Sequence, residues 1–208
     1  MNLEVNTVVT GPFVENAFIV HDTETLDAAI IDPGDDPGRI LRTVEQLGVK
    51  VHAVLLTHAH IDHAGAVGRI LEQLPVPFLV HREEQFWLDG LEEQARMFGI
   101  RAGTVPKPTG YLEDGQELTF GSLRFRVIHT PGHTAGGICF LIDKILFAGD
   151  TLFAGSIGRT DLPGGSYEQI IDSIEKRLLP LGDDVAVYCG HGPETTLGRE
   201  RRTNPFLR

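Results

Sequence analysis

The sequence predicts an α/β protein in which strand groups and helices alternate in two rough halves. That pattern is compatible with two packed sheets covered by helices. Three observations point there. Short apolar or alternating runs of strand length recur along the chain, and amphipathic stretches with helical spacing lie between them. Three of the apolar runs end in a glycine-flanked histidine or aspartate, and a fourth runs into a cluster of three histidines and an aspartate.

The elements follow in order. Residues 3–10 and 17–21 alternate as antiparallel strands, broken by Gly11-Pro12. Residues 28–31 form a third strand, closed by Asp32-Pro33-Gly34. A helix starts with Asp36 as N-cap and Pro37 in the first turn, where the missing N–H costs nothing. Ile40, Leu41, Val44 and Leu47 form its apolar stripe, and Gly48 ends it. The apolar run Ala53-Val54-Leu55-Leu56 leads into a polar loop, after which Val67, Ile70, Leu71 and Leu74 give a second stripe. Residues 81–110 are the least readable. His81 opens a helix that runs through Phe98 and carries Phe86, Trp87, Leu88, Leu91 and Met97. Core packing is the preferred reading of these side chains; a lid or a subunit contact is the other. Apolar strands follow at residues 123–128, 145–146 and 185–187. Ser166 and Gln169 form a capping box ahead of Ile170, Ile171, Ile174 and Leu178, and Pro180 closes that helix. No linker, low-complexity tract or internal repeat interrupts the chain, which reads as one domain over residues 1–208.

Bulk properties restrict the function. Two hundred and eight residues with 41% hydrophobic content suit a compact soluble domain with a good core. The formal net charge is −11, and the basic run at residues 199–202 stands alone. Nucleic acid is therefore not expected as a partner, because phosphate binding needs a basic footprint. The start Met1-Asn2-Leu3-Glu4 lacks the basic and apolar regions of a signal peptide, and no apolar run approaches membrane-spanning length. Cys139 and Cys189 read as buried free thiols in a reducing cytoplasm.

The chemistry is concentrated at strand ends. Residues 57–64 read Thr-His-Ala-His-Ile-Asp-His-Ala, so His58, His60, Asp62 and His63 lie within six positions. Imidazole and carboxylate suit zinc, iron and manganese. His133 follows Gly132, Asp150 follows Gly149 and His191 follows Gly190, each just past an apolar strand. Four strand ends would then offer ligands at one edge of a sheet. The pool of five histidines and two aspartates suffices for two metal ions with open positions. His21, His52, His81 and His129 read as structural or surface residues. Thr57, Gly132, Gly149 and Gly190 read as loop-shaping neighbours without direct chemistry.

The ordered set H-x-H-x-D-H, G-H, G-D and G-H resembles the metallo-β-lactamase superfamily. Residues 57–66 (THAHIDHAGA), 130–140 (TPGHTAGGICF), 148–165 (AGDTLFAGSIGRTDLPGG) and 189–207 (CGHGPETTLGRERRTNPFL) resemble its glyoxalase II-like branch, and within it the short bacterial hydrolases related to hydroxyacylglutathione hydrolase. The resemblance implies an αββα four-layer sandwich and two divalent ions, zinc foremost, with iron or manganese as alternatives. It implies that His58, His60 and His133 hold one ion, that Asp62, His63 and His191 hold the other, and that Asp150 bridges them. Asp62 and Asp150 are the expected catalytic carboxylates.

The reaction implied is hydrolysis of a small thioester, such as S-lactoylglutathione, by a metal-bridging hydroxide formed near neutral pH. A thiolate with a pKa near about 8.5 needs no separate general acid. Two departures from full-length glyoxalase II stand out. The helical extension that follows a segment like Asn204-Pro205-Phe206-Leu207 there is not expected here. In the loop Gly158-Arg159-Thr160-Asp161, Arg159 matches a basic position and is the expected substrate-binding residue, while Asp161 replaces a tyrosine and would repel an anion. The alternative implied by the same loop is a persulfide dioxygenase with one iron on His58, His133 and Asp150. A non-catalytic binding module is disfavoured by the complete ligand set.

Overall fold

A computed structural model of the protein describes residues 2–100, 104 and 107–207. Two six-stranded sheets carry the chain. The first comprises β1 (Leu3–Thr10), β2 (Glu15–Asp22), β3 (Asp27–Ile31), β4 (Lys50–Leu55), β5 (Phe78–His81) and β6 (Gly110–Leu112), side by side in that order. Strands β1 to β3 pair antiparallel, and β3 to β6 pair parallel. The parallel steps require crossovers, which α1 (Pro37–Leu47), α2 (Ile61–Ala64), α3 (Val67–Gln73), α4 (Gln85–Asp89) and α5 (Leu91–Phe98) supply.

The second sheet uses β7 (Glu117–Phe120), β8 (Leu123–His129), β9 (Ile138–Ile142), β10 (Ile145–Gly149), β13 (Ala186–Cys189) and β14 (Thr195–Thr196). Its order is β14-β13-β10-β9-β8-β7. A small hairpin of β11 (Leu152–Phe153) and β12 (Ser156–Ile157), then α6 (Tyr167–Ser173), fill the crossover from β10 to β13. Helix α7 (Leu197–Thr203) follows β14.

Strand alternation builds the layers. In β3, Ala29 and Ile31 join Phe18, Leu55, Phe125, Phe140 and Phe147 in the core between the sheets. Ala28 and Ile30 face the other way and pack with Ile40, Val67 and Ile70 of the first helical layer. In β10, Phe147 points between the sheets, whereas Leu146 and Ala148 pack against Ile170, Ile174 and Leu178. Each sheet is thus covered on both faces, and the expected αββα sandwich is what the chain forms. Two-sided burial also explains why its strands read as near-continuous apolar runs. No helix among the described residues is long and apolar enough to cross a membrane.

Several local expectations change. The metal-capable strand ends belong to both sheets: β4 is in the first, and β8, β10 and β13 are in the second. They meet at one end of the sandwich, and no single sheet edge carries them. Asp36 does occupy the cap position of α1, but with φ 49° and without a side-chain cap bond. Its Oδ2 accepts instead from the Gly11 N–H at 3.2 Å, tying the β1–β2 turn to the helix start. Ser166 caps α6 as expected, accepting from the Gln169 N–H, but the helix widens into a π-helical turn over Ile174–Leu178.

The helix expected over residues 81–98 breaks at Gly90 into α4 and α5, after a short 3₁₀ turn at Arg82–Glu84. The break re-aims its apolar side chains. Leu91 and Ala95 are buried, while Phe86, Met97 and Phe98 are exposed, so core packing fails for those three. Residues 101–103 and 105–106 of the least readable stretch lie outside the described residues.

The inter-sheet layer dominates the apolar burial. Phe125 is 1% exposed there and sits edge-on to Phe140 at 6.3 Å. Phe125→Ala should lower unfolding free energy by about 3–5 kcal/mol, read by urea denaturation; a loss below about 1 kcal/mol would mean that this layer repacks freely.

Candidate metal centre

Four loops deliver the polar cluster. After β4 the chain passes through Thr57 and His58, and His60 takes the cap position of α2, whose single turn carries Asp62 and His63. The loop after β8 brings His133, β10 ends at Gly149 before Asp150, and β13 is followed by Gly190 and His191. Two of these glycines are required by space. Gly149 has φ 47°, and a Cβ there would stand 2.3 Å from Thr57 Oγ1. A Cβ on Gly190 would stand 2.3 Å from Asp150 Oδ1 and 2.7 Å from the His63 ring.

All seven sequence-predicted ligand residues converge. His58, His60 and His133 place ligand-type atoms within 4.8 Å of one another, and so do Asp62, His63 and His191. Asp150 lies between the two groups. Its Oδ1 is 3.3 Å from His63 Nε2. Its Oδ2 is 3.5 Å from His133 Nε2 and 3.7 Å from His191 Nε2. Asp62 Oδ2 is 3.2 Å from His191 Nε2. His58, His60, His63 and His133 are buried, whereas Asp62 and His191 face an open cavity.

The rings are oriented from behind. Four of the five Nδ1 atoms face an oxygen acceptor: Thr57 Oγ1 for His58 at 3.1 Å, Asp32 Oδ2 for His63 at 3.1 Å, the Arg159 carbonyl for His133 at 2.8 Å, and the Phe13 carbonyl for His191 at 3.1 Å, while His60 Nδ1 lies 2.9 Å from His133 Nε2. Donation from Nδ1 assigns the lone pair to Nε2, the arrangement typical of metal-ligating histidines. Within the cluster His58 Nε2, His60 Nε2, His63 Nε2 and Asp150 Oδ1 are buried without hydrogen-bond partners. Unpaired buried polar atoms cost about 1–3 kcal/mol each. Four in one place fit a bound cation.

The electrostatics agree. Burial holds His58 well below the usual imidazole range, takes His60 down to about 3 and lowers His133. These three are neutral at pH 7 and present lone pairs. Burial pulls His63 and His191 the same way, but Asp150 and Asp62 outweigh it and raise both. Burial opposes ionisation of Asp62 and Asp150, yet His63 foremost draws both carboxyls below the ordinary range. A cation would compete with protons for His63 and His191.

Sequence reasoning missed the residues that hold this cluster from behind. Asp32 is fully buried and accepts from the Thr57 N–H at 2.7 Å, from Thr57 Oγ1 at 2.5 Å and from the His63 ring. Its one local signal is its place beside Pro33-Gly34 at a strand end, which by itself reads as a turn. Glu84 is fully buried and accepts from the Ala59 N–H at 2.7 Å and the Gly136 N–H at 3.0 Å. It thereby clamps the His58–His60 loop to the His133 loop. Burial pushes its carboxyl up to about 7, against the pull of the two N–H donors. Gln94 accepts from the Ile61 N–H at the start of α2. Asn16 donates to the Cys189 and Gly192 carbonyls, locking the His191 loop to the first sheet.

The remaining candidates take other places. His81 and His129 stack at 4.5 Å outside the cluster, and the His129 ring donates to the Ala135 carbonyl. His52 pairs with Asp27, away from the centre. Arg159 lines the cavity beside the cluster, but its guanidinium is held bidentately by Asp161, both bonds at 2.8 Å. An incoming carboxylate would have to compete with Asp161 for that fork.

Residues 10–191 match the sequence model of the Metallo-beta-lactamase superfamily. Hydroxyacylglutathione hydrolase GloC of Haemophilus influenzae is 40% identical over 211 residues, an alignment that spans 100% of this chain and 98% of that protein. The crystal structure of BLEG-1 B3 metallo-beta-lactamase superposes with TM-score 0.92 at 37% identity, over 98% of this chain and 99% of that one. TTHA1623, solved in a di-iron-bound form, superposes with TM-score 0.90 at 42% identity, over 98% of this chain and 100% of that one.

Two outcomes follow from this geometry. After metal repletion, elemental analysis should approach about two ions per chain, because seven ligands exceed what one ion needs. His191→Ala should lower that ratio, and a value fixed near one in both proteins would overturn the dinuclear arrangement. Glu84→Ala leaves two buried N–H donors unpaired, so chemical denaturation should show a loss of about 2–5 kcal/mol. Metal affinity should fall by about 10–100-fold, as for other outer-shell changes; unchanged metal affinity would reduce Glu84 to a purely structural residue.

Proposed function

The chain belongs to the metallo-beta-lactamase superfamily, and from that premise we propose that this metal-dependent hydrolase cleaves a small thioester with a pair of zinc ions. The observation that carries the reading is the set of rings pinned at Nδ1 with Nε2 turned inward, on either side of the Asp150 carboxylate. His58, His60 and His133 would hold one ion, and Asp62, His63 and His191 the other. Asp150 would serve both sets, since its Oδ1 faces His63 and its Oδ2 faces His133 and His191. When bound, divalent ions supply Lewis acidity and make a hydroxide nucleophile available near neutral pH.

The chain's own groups do the rest. Thr57, Asp32 and the Arg159 and Phe13 carbonyls keep the rings aimed. The charges of Asp62 and Asp150 offset those of the cations, and the cavity beside them admits the acyl group. A leaving thiolate needs little protonation, so the absence of a further acid-base residue among the described cavity-lining residues fits a thioester. The cysteines are unsuited as nucleophiles. Both are buried, and burial pushes Cys139 up to about 11 and Cys189 to about 12. Two free thiols suit a reducing cytoplasm, where we place the protein.

Likeness to GloC over the full chain supports the thioester reading, and the di-iron form of TTHA1623 shows that a related chain holds iron. Imidazole and carboxylate accept either metal. The convergence of Asp62, His63 and His191 favours the hydrolase over a mononuclear iron dioxygenase on His58, His133 and Asp150, since that triad would leave the second set without a task.

The test is thiol release. S-lactoylglutathione or a simpler thioester should be cleaved without oxygen uptake, supported by zinc or manganese. Asp150→Asn should lower kcat/KM by well over about 100-fold, beyond the usual cost of an outer-shell change, with circular dichroism unchanged. Iron-dependent oxygen uptake with glutathione persulfide, and no thiol release from any thioester, would overturn the hydrolase.

A further inference from the structure

The cavity beside the metal centre has a volume of about 460 Å³, within the range of small-molecule sites. Its floor is the ligand cluster itself, through His60, Asp62 and His191. Its wall is aromatic and aliphatic: Phe13, Phe86, Trp87, Met97 and Phe98. Trp87 meets the His60 ring edge-on at 4.4 Å, so the wall begins at the ligands. Phe98 sits edge-on to Phe13 at 5.1 Å, which joins α5 to the β1–β2 turn.

This wall is left open to solvent. Phe86 is 64% exposed, Met97 73% and Phe98 54%. Clusters of large apolar side chains on a soluble surface mark contact sites. A protein partner seated here would seal the metal cluster, whereas a substrate arm would occupy the cavity and still leave its scissile bond at the ligands. Charge points the same way. Among the described lining residues outside the ligand cluster the one cation is Arg159, and Asp161 already holds its guanidinium. The chain carries a net −11. No free cation among these described residues would reward the carboxylates of glutathione.

We infer that the wall formed by Phe86, Trp87, Met97 and Phe98 selects an uncharged thioester bearing an apolar alkyl or aryl arm. The inference deepens the hydrolase reading and rests on it for the nature of the scissile bond. The wall is the specificity determinant, and the seven-residue cluster is the reaction centre.

Trp87 is the single tryptophan of the chain, so its fluorescence reports the wall independently of turnover. Metal-repleted protein should be titrated with straight-chain carboxamides from acetamide to octanamide. The dissociation constant should fall about fourfold per added methylene, the equivalent of ~0.8 kcal/mol. In parallel, thiol release should be compared for acetyl and hexanoyl thioesters of N-acetylcysteamine, for the acetyl thioester of hexanethiol, and for S-lactoylglutathione. The hexanoyl-to-acetyl ratio of kcat/KM should exceed about tenfold, with S-lactoylglutathione the poorest of the set. Preference for the hexanethiol ester over the hexanoyl ester would place the arm on the thiol side and still support the wall. Met97→Glu, at an exposed position, should collapse the length preference in both fluorescence and turnover.

Length-dependent binding with no thioester cleaved would uphold the apolar wall and overturn the hydrolase reading. Cleavage without length dependence, or with S-lactoylglutathione preferred, would overturn the wall and leave the hydrolase standing. A dimer in native mass measurement that Met97→Glu splits, with no length dependence, would assign the wall to a subunit interface and overturn the inference.

Discussion

The centre is organised by a buried carboxyl group that is not itself among the seven expected ligands. Asp32 follows β3 in the left-handed region, with φ 50°, and takes hydrogen bonds from the backbone and hydroxyl of Thr57 and from the His63 ring. Thr57 Oγ1 donates to Asp32, so it is left to accept from the His58 ring. One side chain therefore sets the tautomer and aim of a histidine in each triad. Without such support, the His60, His63 and His133 rings, packed 4.8, 4.0 and 4.7 Å from the His58 ring, would have no reason to hold their lone pairs toward one point. The cost of burying unpaired nitrogens is tolerable only because their other faces are satisfied and a cation can complete the set.

The rest of the sandwich keeps the two halves of that cluster in register. The first sheet supplies His58, His60, Asp62 and His63, and the second supplies His133, Asp150 and His191. Apolar packing between the sheets brings the strand ends close but cannot fix loops to a fraction of an ångström. Polar staples do that. Glu84 joins the loops of His58–His60 and His133 through two backbone N–H groups. Asn16 fastens the His191 loop to the start of β2. The Arg159 and Phe13 carbonyls then finish the second row of ring contacts. The fold is therefore most polar in its interior where the chemistry is, with the apolar clusters packed up to the ligand loops through Ala59, Ile61 and Ala64.

In the proposed reading, substrate choice rests on a different set of forces. The ligand cluster would set what bond is attacked, through charge and lone pairs. The α4–α5 segment would set what is attached to that bond, through apolar surface that water covers poorly. The Arg159–Asp161 pair shows how one neighbour changes a role. A guanidinium suited to a carboxylate is already engaged, and what Arg159 gives the centre directly is its backbone carbonyl.

The sequence by itself determined the ligand chemistry and most of the strands and helices. His58, His60, Asp62 and His63 stand next to one another, and glycine precedes His133, Asp150 and His191. These signals are local, because residue type fixes the donor atom and strand-end position fixes its reach. The apolar stripes of α1 and α3 were legible for the same reason. Tertiary structure alone decided that ligands from two different sheets meet. It also decided that Asp32, Glu84 and Asn16 are the residues that aim them, across separations of 25, 52 and 173 positions. A carboxyl or amide at such a distance carries no mark of its partner, since burial and hydrogen bonding are settled only when the sheets pack. The aromatic stripe of residues 86–98 misled for the complementary reason. Its spacing fits a core helix, but the break at Gly90 turns Phe86, Met97 and Phe98 toward the open cavity, and spacing holds no information about which face the fold will cover.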